Sequence, residues 1–94
     1  MSDLPPAELL ETTHDFPCRY TFKAIGQDVD DFANRAVTAV RGALQLPEDP
    51  ESSHRRTANG RHIAVTIELD VSSSAQVLQV YAELKQLEGL RILL

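Results

Sequence analysis

The sequence predicts an α+β domain of the ferredoxin-like type, in which two helices cover one face of a four-stranded antiparallel sheet. Apolar and polar residues alternate over 16–26 and over 62–71, a pattern typical of strands with one buried face. Apolar residues recur at three- and four-residue steps over 29–44 and 77–87, as in amphipathic helices. The order strand-helix-strand-strand-helix-strand, with a hairpin at its centre, indicates a split βαβ arrangement with sheet order 4-1-3-2.

The first strand is the stretch FPCRYTFKAIG, whose alternation gives it two different faces. Tyr20 and Phe22 lie on one face, while Arg19 and Lys23 lie on the other. Because large apolar side chains favour the interior, we expect the aromatic face to contact the helices. The cationic face is then left open.

The first predicted helix follows this strand and carries a regular apolar stripe. Asp28 is a suitable N-cap, and Asp30 and Asp31 would lie in the first turn, where carboxylates stabilise the positive end of the helix dipole. Pro47 ends the helix, and an exposed loop follows.

The dipeptide Asn59-Gly60 is the strongest local signal in the chain. It favours a two-residue type I′ turn, which would pair Ala58 with Arg61 and make residues 53–58 a polar edge strand. Beyond the alternating strand that follows, Ser72 or Ser73 can cap the second predicted helix. Gly89 ends that helix, and LRILL forms the last strand.

The charge of the chain is concentrated at its beginning. The net charge is -5, and residues 1–15 contribute four acidic residues and no basic one. We therefore predict a flexible acidic N-terminal tail over 1–15 and a nearly neutral domain over 16–94. A nearly neutral domain does not suit general nucleic-acid binding, whose affinity comes mainly from neutralised phosphates.

Two further observations bear on location. No apolar run approaches the length of a membrane span, and the acidic N-terminus does not resemble a signal peptide, so no membrane partner is expected. The single cysteine, Cys18, cannot form an intrachain disulfide and lies on the apolar face of a strand. We therefore expect a reducing, cytoplasmic setting.

Several cations are predicted to converge on the open face of the sheet. The candidate ligand or partner surface consists of Arg19, Lys23, Arg55, His62, Arg91 and Leu93. Three interpretations remain open. The face is an ordinary solvated surface, or it is a pocket for a small anion. In the remaining interpretation, Ile25, Ala64 and Leu93 form an interface for a partner protein or for a second copy of the chain. In the anion-pocket interpretation Arg19, Lys23 and Arg91 would hold a carboxylate or phosphate group.

Other kinds of site are not indicated by the sequence. RNA-recognition domains of this topology stack bases on aromatic residues of the central strands, and the outward positions here carry none. No nucleophile lies at a spacing that suggests a base and an orienting acid, so we predict no catalytic residues. No metal site or cofactor is expected either, because paired Cys or His ligands and a Gly-rich phosphate loop are missing.

The opening and closing blocks of the predicted domain resemble the YbeD-like family of small bacterial proteins. FPCRYTFKAIG is similar to that family's FP…F.K.(I/V/M)G opening, and VYAELKQLEGLRILL is similar to its final helix and strand. Gly60 lies where the family has a hairpin glycine. The sequence GRHIA departs from the family's G.Y.S, because His62 and Ala64 replace Tyr and Ser.

This resemblance implies an ACT-like, ferredoxin-type domain. Proteins of the family are described as uncharacterised or as regulators connected with lipoate metabolism, and ACT-like domains bind small effectors or associate through their sheets. We therefore expect a regulatory or adaptor domain that acts by protein interaction. A domain that binds a carboxylate or lipoate-type effector, and a self-associating structural domain without a ligand, are the alternatives.

Overall fold

The structure of the chain is a computed structural model that describes residues 6–94. Three helices and four strands follow one another along these residues. They are α1 (Ala7–Thr13), β1 (Cys18–Gln27), α2 (Phe32–Leu44), β2 (Glu51–Arg56), β3 (His62–Val71), α3 (Ser74–Lys85) and β4 (Leu90–Leu93).

The strands form one antiparallel sheet in the order β2-β3-β1-β4, which is the order 4-1-3-2 read from the other edge. The central strands β1 and β3 pair along their whole lengths, from Cys18 opposite Val71 to Gln27 opposite His62. Helices α2 and α3 pack against each other and against the sheet. The predicted ferredoxin-like fold is confirmed.

The predicted faces of the central strands are also confirmed. In β1, Phe22 and Ala24 are buried, whereas Arg19, Thr21 and Lys23 are exposed. In β3 the odd-numbered residues are buried, and the even-numbered ones are half-buried or exposed. Because alternate side chains of a strand point to opposite faces, one face of the sheet contacts the helices and the other is open.

The N-terminal region differs from the prediction of a mobile tail. Residues 1–5 of that predicted tail lie outside the described residues, but residues 7–13 form helix α1, which packs against α3. Leu10 is only 3% exposed and belongs to the hydrophobic core. Ser74 Oγ donates a 2.6 Å hydrogen bond to a carboxylate oxygen of Glu11. One buried leucine and one hydrogen bond therefore hold α1 in place.

The connection between β1 and α2 does not have the predicted cap. Helix α2 begins at Phe32 after Asp30 and Asp31, which have left-handed φ values of 52° and 55°. Asp28 does not cap the helix because the cap position falls on Asp31, and the Asp28 carboxylate pairs with Arg56 of β2 instead. Arg35 holds the connection by donating hydrogen bonds to the carbonyl oxygens of Asp30 at 2.9 Å, Val29 at 3.2 Å and Glu88 at 3.2 Å.

The hairpin has the predicted register but a longer loop. Thr57 N–H donates to His62 O at 2.9 Å, so four residues, 58–61, lie between the last bonded pair instead of the predicted two. Strand β2 spans 51–56 rather than 53–58. A type I′ turn requires two residues with positive φ, and here only Gly60 has one, at 73°. The Asn59 side chain instead accepts hydrogen bonds from Thr57 Oγ1 and the Arg61 N–H, which stabilises the longer loop.

Helix α3 begins as predicted at a serine cap. Ser73 Oγ accepts a hydrogen bond from the Gln76 N–H, and Gly89 lies beyond the end of the helix with a φ of 89°. On its buried side Tyr81 forms a hydroxyl–hydroxyl hydrogen bond of 3.0 Å with Tyr20. Burial is the main cause that raises the pKa of Tyr81 above its ordinary value, and the hydrogen bond with Tyr20 raises it further. The pair satisfies two polar groups at the border of the core.

The last strand, β4, does not have the predicted orientation. A register irregularity lies between Ile25 and Gly26, so that Ile92 pairs with Ile25 and Leu93 pairs with the buried Ala24. The prediction that Leu93 lies on the open face is therefore wrong, because its side chain packs against the core on the helix side. Ile92 lies on the open face instead.

Candidate functional site

The open face of the sheet brings together only part of the predicted cationic surface. Arg19, Lys23 and Arg55 lie on this face, opposite Asp70, Thr66 and Ala64 of β3. His62 lies at its end, half-buried beside the hairpin. Arg91 lies at the irregularity of the edge strand β4 and is separated from the other cations.

Arg19 is already paired with carboxylates. Its guanidinium lies 2.9 Å from a carboxylate oxygen of Glu51 and 3.8 Å from one of Asp70. In the next row, Thr21 Oγ1 donates a 3.2 Å hydrogen bond to Glu68. This end of the face is therefore a mixed network with more acidic than basic groups, and Arg19 is not the anion-binding residue that the sequence suggested.

A shallow cleft lies at the other end of the open face. Its volume is about 400 Å³. The residues that line this open-face cleft are Lys23, Ser53, His54, Arg55, Ala64 and Thr66. Lys23, Thr66 and Ser53 stand in one row across β1, β3 and β2, and Arg55 stands beside Ala64 in the next row.

The outer edge of β4 is the apolar edge of the sheet. Ile92 is 48% exposed and Leu94 is 62% exposed, values that are high for large aliphatic side chains. The sequence analysis missed both residues because Arg91 suggested that its own phase, shared with Leu93, faces water. The opposite edge, β2, consists of exposed polar and charged residues, as predicted.

A groove runs between β4 and α3 along this apolar edge. This edge groove has a volume of about 460 Å³ and is lined by Tyr81 and Lys85 of α3 and by residues 90–94. The charged side chains that line it, those of Lys85 and Arg91, are both basic. The predicted site residue Arg91 therefore belongs to the groove and not to the cluster around Lys23.

The backbone of β4 offers unpaired groups to this groove. Leu94 donates to Lys23 O at 2.8 Å and accepts from Lys23 N–H at 3.1 Å. Because successive residues of an antiparallel strand point their backbone groups to opposite sides, the N–H and C=O of Leu93 point away from β1. The edge of β4 thus has the geometry to accept a further strand.

Other kinds of site are not found between residues 6 and 94. That part of the chain contains no cluster of three or more His, Cys, Asp or Glu side chains placed to hold a metal ion. None of its helices is long and apolar enough to cross a membrane. Its buried side-chain nitrogen and oxygen atoms all have hydrogen-bond partners, so no buried polar group there awaits a ligand.

Comparison with known proteins places the chain in a family. Residues 11–94 match the family model described as a protein of unknown function, DUF493. A UPF0250 protein of Shewanella piezotolerans is 33% identical over 91 residues, covering 97% of each chain. A UPF0250 protein of Shewanella amazonensis is 30% identical over 87 residues, covering 88% of this chain and 97% of the relative.

A solved structure supports the fold. The solution structure of protein HP0495 from Helicobacter pylori has a TM-score of 0.66 to this chain and covers 99% of it, with 98% of its own length matched. The two sequences are 14% identical, so the likeness concerns the fold alone. The likeness supports the α+β arrangement of a four-stranded antiparallel sheet with helices. This chain belongs to the UPF0250 (DUF493) family of bacterial proteins, the YbeD-like family that its first and last strands resemble.

Proposed function

We propose that this protein is a regulatory or adaptor domain that binds an extended segment of a partner protein along the edge of β4. The observation that carries the proposal is the combination of an unpaired strand edge with two exposed aliphatic residues, Ile92 and Leu94. A segment that adds to such an edge forms backbone hydrogen bonds for affinity and places alternate side chains in neighbouring pockets for specificity.

The contrast between the two edges of the sheet supports this choice. Natural proteins protect their edge strands with charges, prolines or bulges, because unpaired edges attract other strands. Strand β2 follows this rule with Arg55, Arg56 and its other exposed polar residues. In β4 the irregularity lies at the first half of the strand. Ile92 in its second half and Leu94 just beyond it are exposed without a charge between them.

The chemistry of the edge groove indicates which segment fits. Arg91 contributes positive charge to the groove, and no acidic side chain of the described residues lines it. A partner segment with an acidic side chain toward Arg91 and apolar side chains toward Ile92 and Leu94 would complement the strand. A second copy of this chain fits less well, because it would bring a second Arg91 to the same edge.

The cellular setting is also part of the proposal. The regulatory role is inferred from the family resemblance of the sequence motifs and not from the site, since one fold hosts many functions. The single cysteine, which is half-buried at the start of β1, supports a reducing, cytoplasmic location.

Selection of short random peptides displayed on phage against the wild-type chain tests the proposal. We expect enriched sequences to alternate acidic and apolar residues. In fluorescence anisotropy, Ile92→Lys and Leu94→Lys should each weaken binding of a selected peptide by about tenfold or more, because a lysine on an edge opposes strand addition. Leu9→Lys is the matched control, because Leu9 is 51% exposed on α1, and its peptide affinity should stay at the wild-type value.

Three results would contradict the proposal. One is a selection that enriches no binder. Another is a set of peptides that bind both β4 variants as tightly as the wild type. The third is a wild-type chain that forms a dimer in light scattering and returns to its 10.4 kDa monomer mass on Ile92→Lys, because a second copy would then occupy the edge.

A further inference from the structure

We propose that the open-face cleft is a second site, which binds the carboxylate or phosphate group of a small molecule through Lys23 and Arg55. The site is separate from the edge of β4, because its residues lie on β1, β2 and β3. It also differs from the anion pocket that the sequence suggested, since Arg19 is paired with acids and Arg91 lies at the edge groove.

The strand register brings the two cations to opposite walls of the cleft. Lys23 on β1 and Arg55 on β2 flank β3, and they are two residues apart along it, opposite Thr66 and Ala64 respectively. Neighbouring strands lie about 4.8 Å apart, so two flexible side chains of this length can reach a common point above β3. The small Ala64 and Thr66 form the floor and leave that space open.

The distribution of charge on the open face separates these cations from its acids. Glu51 and Asp70 contact Arg19, and Glu68 accepts a hydrogen bond from Thr21, all toward the other end of the face. No acidic side chain of the described residues lines the cleft. Within residues 6–94 neither Lys23 nor Arg55 forms a salt bridge. Two basic groups thus share one concave surface, and the acids of the neighbouring row, Glu51 and Glu68, lie outside its lining.

The remaining lining residues suit an oxyanion. The hydroxyl groups of Ser53 and Thr66 lie in the same row as Lys23 and can donate hydrogen bonds to ligand oxygens. The guanidinium of Arg55 can hold two oxygens of one carboxylate or phosphate group at once. A volume of about 400 Å³ is sufficient for a small metabolite and too small for a folded partner.

Titration of the ¹⁵N-labelled full chain with inorganic phosphate and, separately, with succinate tests this site by NMR. Sodium chloride at matched ionic strength provides the reference. We expect saturable shifts of the Lys23, Arg55 and Thr66 amides with at least one of the two probes. A response to phosphate alone indicates a phosphorylated ligand, and a response to succinate alone indicates a carboxylate.

Variants identify the groups that bind. Lys23→Met and Arg55→Met should each weaken binding of the effective probe by about tenfold, because each removes a charge-assisted contact but keeps the aliphatic stem. Arg55→Lys should bind with intermediate affinity, since it keeps the charge and loses the planar fork. Arg61→Met removes the same charge from the exposed hairpin loop, outside the cleft, and should bind like the wild type.

The site would be refuted by shifts that rise linearly with both probes and match those in sodium chloride. It would also be refuted if Arg61→Met weakened binding as much as Arg55→Met, because the lost affinity would then reflect the net charge of the protein and not a contact in the cleft. Ile92→Lys changes no residue that lines this cleft or pairs with one, so with this variant failure here and failure of peptide binding are separate results.

Discussion

Gly26→Ala is expected to lower the free energy of unfolding by about 3 kcal/mol, or to prevent folding, because the added methyl group has no space. A Cβ atom at this position would lie 2.5 Å from two ring carbons of Phe32 and 2.9 Å from a third. Phe32 is fully buried, so its ring cannot move aside without displacing the core at the start of α2. Urea denaturation followed by circular dichroism measures the change.

Gly42→Ala is the matched control for this prediction. Gly42 lies inside α2, and a Cβ atom there would meet nothing within 4 Å. Alanine should therefore stabilise the protein by about 0.5–1 kcal/mol, since it favours the helical conformation. Phe32→Leu, which shortens the opposing side chain, should reduce the cost of Gly26→Ala in the double variant. An unchanged stability in Gly26→Ala alone would contradict the close packing of β1 against α2.

Leu10→Ala is expected to lower the free energy of unfolding by about 2 kcal/mol or more, because it leaves a cavity where α1 meets the core. Leu10 is 3% exposed and is the residue of α1 that the structure buries. Global urea denaturation is the measurement. The result tests whether residues 7–13 unfold together with the rest of the domain or separately from it.

Leu9→Ala is the neighbouring control on the same helix. Leu9 is 51% exposed, so the change should stay within about 0.5 kcal/mol of the wild type. If Leu10→Ala also left the unfolding midpoint unchanged, α1 would be independent of the domain. The predicted mobile tail over 1–15 would then be the better description of that region.

The sheet was predictable because its central strands have one face in contact with the helices and one in contact with water. Burying Phe22 and exposing Lys23 requires alternation in the sequence, and a shift by one residue would reverse every side chain. The split βαβ order then restricts the connections between strands. These constraints are local in sequence, which explains why sheet order and hairpin register follow from the sequence.

The edge strand β4 was not predictable on the same basis. Arg91 indicates that its own phase, shared with Leu93, faces water, but the register changes at the irregularity beside Gly26 and reverses this assignment for Leu93. An irregularity of this kind depends on tertiary packing and leaves no pattern in a segment of five residues. Leu93 was therefore assigned to the open face in place of Ile92 and Leu94, and Arg91 was grouped with cations that it does not approach.

The candidate sites needed information on charge pairing that a single sequence does not carry. Arg19, Lys23 and Arg55 look equivalent in the sequence, and only the register shows that Arg19 faces Asp70 while Lys23 and Arg55 face Thr66 and Ala64.

The connection before α2 is a similar case. Asp28 has the residue type of an N-cap, but the helix begins only at Phe32, and Asp28 pairs with the distant Arg56.

Amide hydrogen exchange of Leu93 tests the central claim, strand addition at β4, most directly. In the free chain the Leu93 N–H points away from β1 and should exchange rapidly, because it has no partner in the sheet. With a selected peptide bound, strand addition predicts that exchange at Leu93 slows strongly while exchange across β2 does not change. A bound peptide that protects β2 or the helices, and leaves Leu93 exchanging as in the free chain, would contradict the account.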